Sequence, residues 1–157
     1  MVAATKQARV EQIWDWLRLV PDPEIPVISV VDLGVVRDVR WERDQLVVSV
    51  TPTYSGCPAT GVIAQDINEA LRAHGIESLR LETQLSPPWT TDWISDAGKE
   101  RLRQYGIASP AARGESNVCP RCASPKIGKV SEFGSTPCKA QYQCRECLEP
   151  FDLFKCI

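Results

Sequence analysis

Two Cys-x-x-Cys pairs, CPRC at 119–122 and CREC at 144–147, constrain this chain more than any other feature. Each pair wraps a tight turn that aims two sulfurs at one point. Two such turns make a tetrahedral four-thiolate site, with metal–sulfur distances near ~2.3 Å. A structural Zn2+ on Cys119, Cys122, Cys144 and Cys147 is the expected occupant. An iron–sulfur cluster takes the same ligands, and surface or redox thiols without metal are the plainest reading. The module needs a staple: about forty residues cannot bury a core that offsets chain entropy. A structural metal typically supplies about 10 kcal/mol or more of folding free energy. Cys138 and Cys156 are left over. These secondary thiols read as core residues, as an alternative ligand set, or as half of a second site.

The seven cysteines also bear on compartment. The opening stretch, MVAATKQARVEQIWDW, lacks the apolar segment of a signal peptide. No run reaches the roughly 18 apolar residues of a membrane span. A cytoplasmic protein is expected, where thiols stay reduced and serve as ligands or functional groups before disulfides. The net charge of −2 gives no global attraction to nucleic acid or an anionic membrane. The cysteine-rich part has no dense basic patch, so neither partner is expected.

The earlier part of the chain has the apolar material for a core, at 43% hydrophobic residues overall. Val10, Ile13, Trp14 and Leu17 mark one face of a helix that stops before Pro21. PDPEIPVISVVDLG, 21–34, reads as an ordered loop, because its prolines forbid a regular helix at its start. VVRDVRW and LVVSVTP read as two strands joined through ERDQ as a hairpin. Ile63, Ile67, Ala70 and Leu71 line a second helix, with Gly75 as its stop. SLRLETQL, 78–85, alternates as a third strand. SPPWTTDWIS is a loop whose Trp89 and Trp93 read as packing residues, and DAGKERLRQYG is a final helix. The order helix-strand-strand-helix-strand-helix defines a small α+β domain over 1–106. Residues 107–117 read as a linker and 118–157 as a four-cysteine ribbon.

Cys57 stands where strand gives way to helix. Pro58 suits the first position of a helix, which would make Cys57 its cap and place the sulfur at the positive end of the dipole. The alternative is a small buried cysteine in a tight turn. Asp22, Glu24 and Asp32 lie in the proline-pinned loop, placed to cap, to pair with arginine, or to approach a metal. A single histidine, His74, excludes the two-histidine sets of di-iron oxygenases and Rieske centres. A Gly-rich dinucleotide fingerprint and a Walker loop are absent. The chain alone is therefore no oxygenase and no nucleotide-driven enzyme.

The stretches DPEIPVISVVDLG, TPTYSGCPAT, LSPPWTTDWIS, YGIASP, CPRCASP and FGSTPCKAQYQCRECLEPFDLFKC resemble the D-protein family of the bacterial phenylacetyl-CoA 1,2-epoxidase system. The resemblance runs from about residue 10 to 157. Residues 10–105 also resemble the wider iron–sulfur-assembly domain family of SufT-like proteins. Its hallmarks fall here on Asp22, Pro23, Glu24 and on Thr51, Pro52, Cys57, Pro58. The resemblance implies an accessory protein of aerobic phenylacetate catabolism, not an enzyme, that matures an Fe–S or di-iron centre. Cys57, Asp22 and Glu24 become the candidate site for a transient Fe–S cluster or iron. The implied partners are the oxygenase and reductase components. The other reading is a non-catalytic structural component that stabilises the complex. A thiol reductase using CPRC is a third reading, which zinc on those sulfurs would block. Oligomeric state is left open, a homodimer included.

Overall fold

The computed structural model describes residues 7–54, 56–109, 111 and 116–155; Cys156 lies outside the described residues. Helix α1, Val10–Leu17, buries Ile13 and Leu17, as the i, i+4 pattern requires. Its entry is pinned by the Trp41 indole N–H, which donates to the Ala8 carbonyl at 3.0 Å. Strands β1, Val36–Glu42, and β2, Gln45–Val50, form the expected antiparallel hairpin. It turns through Arg43, which adopts a left-handed φ of 56°.

Strand β3, Leu79–Thr83, pairs parallel to β2, giving a three-stranded sheet in the order β1-β2-β3. A parallel pair needs a crossover. Helix α2, Thr60–Ala73, supplies it and buries Ile63, Ile67 and Leu71 against the sheet; Gly75 at φ 85° ends the run. The central strand is almost wholly buried, whereas β1 and β3 carry the charge. Arg40 bonds Asp38, Glu42 and Glu82, and Arg80 reaches Glu42 and Glu82.

After a single 3-10 turn at Thr91–Trp93, helix α3 spans Asp96–Tyr105. Ser95 caps it by accepting from the Gly98 N–H at 2.9 Å, and Gly106 at φ 88° closes it. Trp89 is buried with its N–H on the Leu33 carbonyl, and the Arg37 guanidinium stacks on Trp93 at 3.6 Å.

The cysteine-rich part forms a second sheet in the order β4-β7-β6-β5. Its strands are β4, Ile107–Ala108; β5, Ile127–Ser131; β6, Lys139–Cys144; and β7, Pro150–Phe154. The stretch read as a linker thus opens with two buried residues paired parallel to β7. Two residues are too few for a period to register, which is why composition hid them. Among the described residues the ribbon's own buried core is Ala108, Cys119, Cys144, Phe151 and Leu153. Two more of its buried residues, Cys138 and Phe154, belong to the core of the first domain, with the Phe154 ring 5.7 Å from Trp89. Among the described residues no helix is long and apolar enough to cross a membrane.

Gly34 marks a close backbone approach between the α1–β1 loop and the 3-10 turn. It holds φ +81°, and a Cβ there would meet the Trp93 Cβ and carbonyl oxygen at 2.7 Å. Gly34→Ala should cost about 2–4 kcal/mol, left-handed strain and overpacking together. Urea unfolding checks this: the midpoint should fall with the slope unchanged. An unmoved midpoint would contradict it.

Candidate functional site

Two groups of side chains carry chemistry. The first is built by the two Cys-x-x-Cys turns. Cys119 opens one turn, its N–H bonding the Ser124 carbonyl at 2.9 Å, and Cys144 opens the other, its N–H bonding the Glu149 carbonyl at 3.0 Å. Each chain turns back through a left-handed residue four positions after its first cysteine, Ala123 at φ 59° and Leu148 at φ 61°. The Glu146 N–H points at the Cys144 sulfur, 3.4 Å away. Backbone N–H groups of Cys147 and Glu146 help bring the Cys144 thiol down to about 7.

The four sulfurs of Cys119, Cys122, Cys144 and Cys147 all lie within 4.8 Å of one another. Cys119 to Cys147 is 3.7 Å and Cys122 to Cys144 is 3.6 Å. A tetrahedron with metal–sulfur bonds near 2.3 Å has edges of about 3.8 Å. The donor set and its spacing therefore fit one tetrahedral thiolate-bound ion. They do not fit disulfides, whose sulfurs stand about 2.05 Å apart.

The second group surrounds Cys57. The loop between α1 and β1 is folded on itself by Asp22. Its Oδ1 accepts the N–H groups of Glu24 at 2.9 Å and Ile25 at 2.8 Å, while its own N–H bonds the Ile28 carbonyl. Asp32 takes the other end of the loop. It accepts from the Ser95 hydroxyl at 2.8 Å and pairs with Arg101 at 3.4 Å, so it works as a structural tie to α3. Asp22, Glu24, Cys57 and Cys138 line one cavity of about 10 Å3. That is room for one water-sized body. The expected trio of Cys57, Asp22 and Glu24 is thus brought together.

One expectation about Cys57 is corrected. The helix begins at Thr60 with Ala59 as its cap, two residues later than Pro58 suggested. The Thr60 N–H and hydroxyl both bond the Cys57 carbonyl, at 3.3 and 2.9 Å, and draw Pro58 and Ala59 into a preceding turn. Cys57 is half-buried just before that turn. The capping argument for its sulfur therefore does not apply. Cys138 is buried and its thiol is pushed up by that burial. Tyr54 went unread, because the pattern of Thr51, Pro52, Cys57 and Pro58 leaves its position unspecified. Partial burial pushes its phenol up, followed by the negative charge that Cys57, Glu24 and Cys138 can carry around it. His74 is exposed, stacked on Trp16 at 4.1 Å, and belongs to neither group.

Burial raises the Asp22 carboxyl above the ordinary 3.8, against the pull of the Ile25 and Glu24 N–H groups and the charge of Lys139. A carboxyl so raised contributes stability that is full below its unfolded value and lost as pH rises through the folded one. Asp22→Asn keeps an acceptor for both N–H groups and removes that loss. Relative to wild type, Asp22→Asn should gain stability as pH climbs from acid to neutral. Asp22→Ala should lose about 1–3 kcal/mol, since two amides go unpaired. Unfolding curves across pH check both. A wild type that gains on Asp22→Asn as pH rises would contradict the sign.

Comparison with known proteins follows the same division of the chain. The model described as "Iron-sulfur cluster assembly protein" matches residues 10–77, and the model described as "PaaD zinc beta ribbon domain" matches residues 108–155. An Escherichia coli (strain K12) protein, provisionally named as the D component of 1,2-phenylacetyl-CoA epoxidase, is 47% identical over 162 residues, covering 99% of this chain and 98% of that one. The Fe-S protein maturation auxiliary factor YitW of Bacillus subtilis (strain 168) is 33% identical over 99 residues, covering 62% of this chain and 96% of its own. Among solved structures, a Bacillus anthracis domain of unknown function is similar at TM-score 0.55 and 28% identity. It covers 59% of this chain and 90% of its own. A conserved hypothetical protein of Thermotoga maritima is similar at TM-score 0.53 and 30% identity, covering 65% and 98%.

Proposed function

Since the chain belongs to the D-protein family of 1,2-phenylacetyl-CoA epoxidase, we propose that it is a cytoplasmic, non-catalytic accessory factor that matures a metal centre of that oxygenase system. The observation that carries this reading is the meeting of Cys57, Asp22 and Glu24 at one small cavity, in a domain of iron–sulfur-assembly type. The oxygenase and reductase components are its clients. The two parts divide the work: the α+β domain handles cargo, and the ribbon holds structure and docks the client.

The cargo is iron or an Fe–S unit. A single thiolate is a suitable transfer ligand, because it holds a metal jointly with a client's ligands and lets go when those outnumber it. Cys57 would supply the thiolate. Glu24, half-buried beside it, adds a hard oxygen donor that suits ferrous iron better than a cluster sulfide. Asp22 spends Oδ1 on the loop, so its main part is to hold Glu24 in place.

Zinc in the ribbon is structural in this reading. Four thiolates close its coordination sphere and leave no position for a substrate. Replacing Cys144 with Ala should therefore release zinc and strip amide protection from residues 118–154, while β1 and β2 stay protected. Hydrogen exchange checks this. Retained protection across both Cys-x-x-Cys turns would count against a metal staple.

The carrier reading is tested on oxygen-free protein, wild type beside Cys57→Ala. One zinc per chain is expected in both, with labile iron and sulfide in wild type alone. Epoxidase components expressed with the variant should lose activity. Zinc alone in both proteins, with epoxidase activity intact, would overturn the carrier and favour a purely structural component.

A further inference from the structure

The carrier site as described uses the α+β domain alone, yet the cavity beside Cys57 has a wall from the ribbon. Cys138 stands just before β6, and its position is fixed from both sides. Its carbonyl accepts the Lys155 N–H at 2.9 Å, and the Lys139 N–H bonds the Thr136 carbonyl at 3.1 Å. The Cys138 sulfur is buried with the Thr136 hydroxyl 3.0 Å away, and it lines the same cavity as Cys57, Glu24 and Asp22. The rest of the lining is largely apolar, including Ile63 and Phe154. Four side chains able to ligate a metal, from three separate stretches of sequence, thus line one space about the size of a small ion.

We propose that Cys138 is a second thiolate ligand of the carrier site, so that a ferrous-type divalent cation is held between the two parts of the chain by Cys57, Cys138 and Glu24. This rests on the carrier reading and deepens it.

Three further observations bear on it. First, among the described residues the Glu24 carboxylate makes no hydrogen bond or ion pair, so it is free to turn inward. Second, Lys139 is buried next to Cys138, 3.8 Å from Asp152, and its charge favours the ionised forms of both Asp22 and Cys138. Two thiolates and the Glu24 carboxylate would place three negative charges beside one lysine, and a divalent cation offsets the other two. Third, the ribbon sulfurs are the cluster whose ligand atoms already lie within 4.8 Å of one another. The Cys57 group is looser and would close on its ion by side-chain rotation. A staple is pre-assembled and a carrier is not. On binding, the metal displaces the thiol protons to solvent: M2+ and two thiols give the dithiolate complex and two protons. The mixed sulfur–oxygen donor set suits borderline cations such as Fe2+, Co2+ or Zn2+.

The test uses the full chain with its ribbon zinc in place, without oxygen, and Co2+ as the probe. Wild type should take up one Co2+ with zinc content unchanged and show a thiolate-to-cobalt charge-transfer band. Cys138→Ser should lower that band to about half and weaken binding about ten-fold or more. Glu24→Gln should weaken binding while keeping the full band, which guards against a Cys138 variant that merely misfolds. A Cys138→Ser protein with wild-type band and affinity, beside a Cys57→Ala protein that has lost the band, would overturn the second ligand and leave the Cys57 carrier standing. Wild type that takes up no Co2+, or takes it up only as zinc leaves, would overturn the two-thiolate site. Its iron and sulfide content would then decide the carrier reading separately.

Discussion

The ribbon does not have enough apolar surface to stand alone, and the rest of the architecture follows from how that shortage is met. Among the described residues its private core holds five buried ones, two of them cysteines of the four-sulfur cluster. At roughly 25 cal/mol per Å2 of buried apolar area, so small a set does not offset the entropy of ordering its backbone. Two devices make up the difference. The four thiolates offer a metal, and Phe154 and Cys138 are lent to the larger core, where Phe154 meets Trp89. The second device also sets the geometry of the thiol site. Because β7 must reach the first domain to bury Phe154, the start of β6 is carried alongside it, and Cys138 arrives opposite Cys57.

The loop between α1 and β1 is the other half of that meeting. Its backbone is held by Asp22 at the start, by Asp32 and Ser95 at the end, and by the Trp89 indole on Leu33. Among the described residues the Glu24 carboxylate takes no part in these bonds. A rigid loop with one unengaged carboxylate contrasts with the ribbon, where every sulfur already faces its neighbours.

Most of the α+β domain could be read from side-chain periodicity. Ile13 and Leu17, or Ile63, Ile67 and Leu71, are spaced so that only a helix buries them together. The ribbon cysteines were legible because their spacing is itself the turn. What escaped has physical reasons. The helix after Cys57 starts late because the Thr60 hydroxyl competes for the Cys57 carbonyl, a local bond that a proline rule does not weigh. Strand β4 is too short to have a period. Ala123 and Leu148 take left-handed turns without the glycine that usually signals them. Cys138 belongs to no spacing, and only the pairing of β6 with β7 gives it a neighbour.

The strand order β4-β7-β6-β5 has a consequence for how the protein is made. The strand that comes latest in its sheet's sequence, β7, is an interior one, inserted between β4 and β6. On the ribosome the α+β domain emerges with Trp89 facing an unfilled place, and β4 waits without a partner. The nascent chain therefore exposes apolar surface and a bare strand edge until translation passes Phe154. The second sheet, and its contact with Trp89, is therefore complete only once β7 is in place.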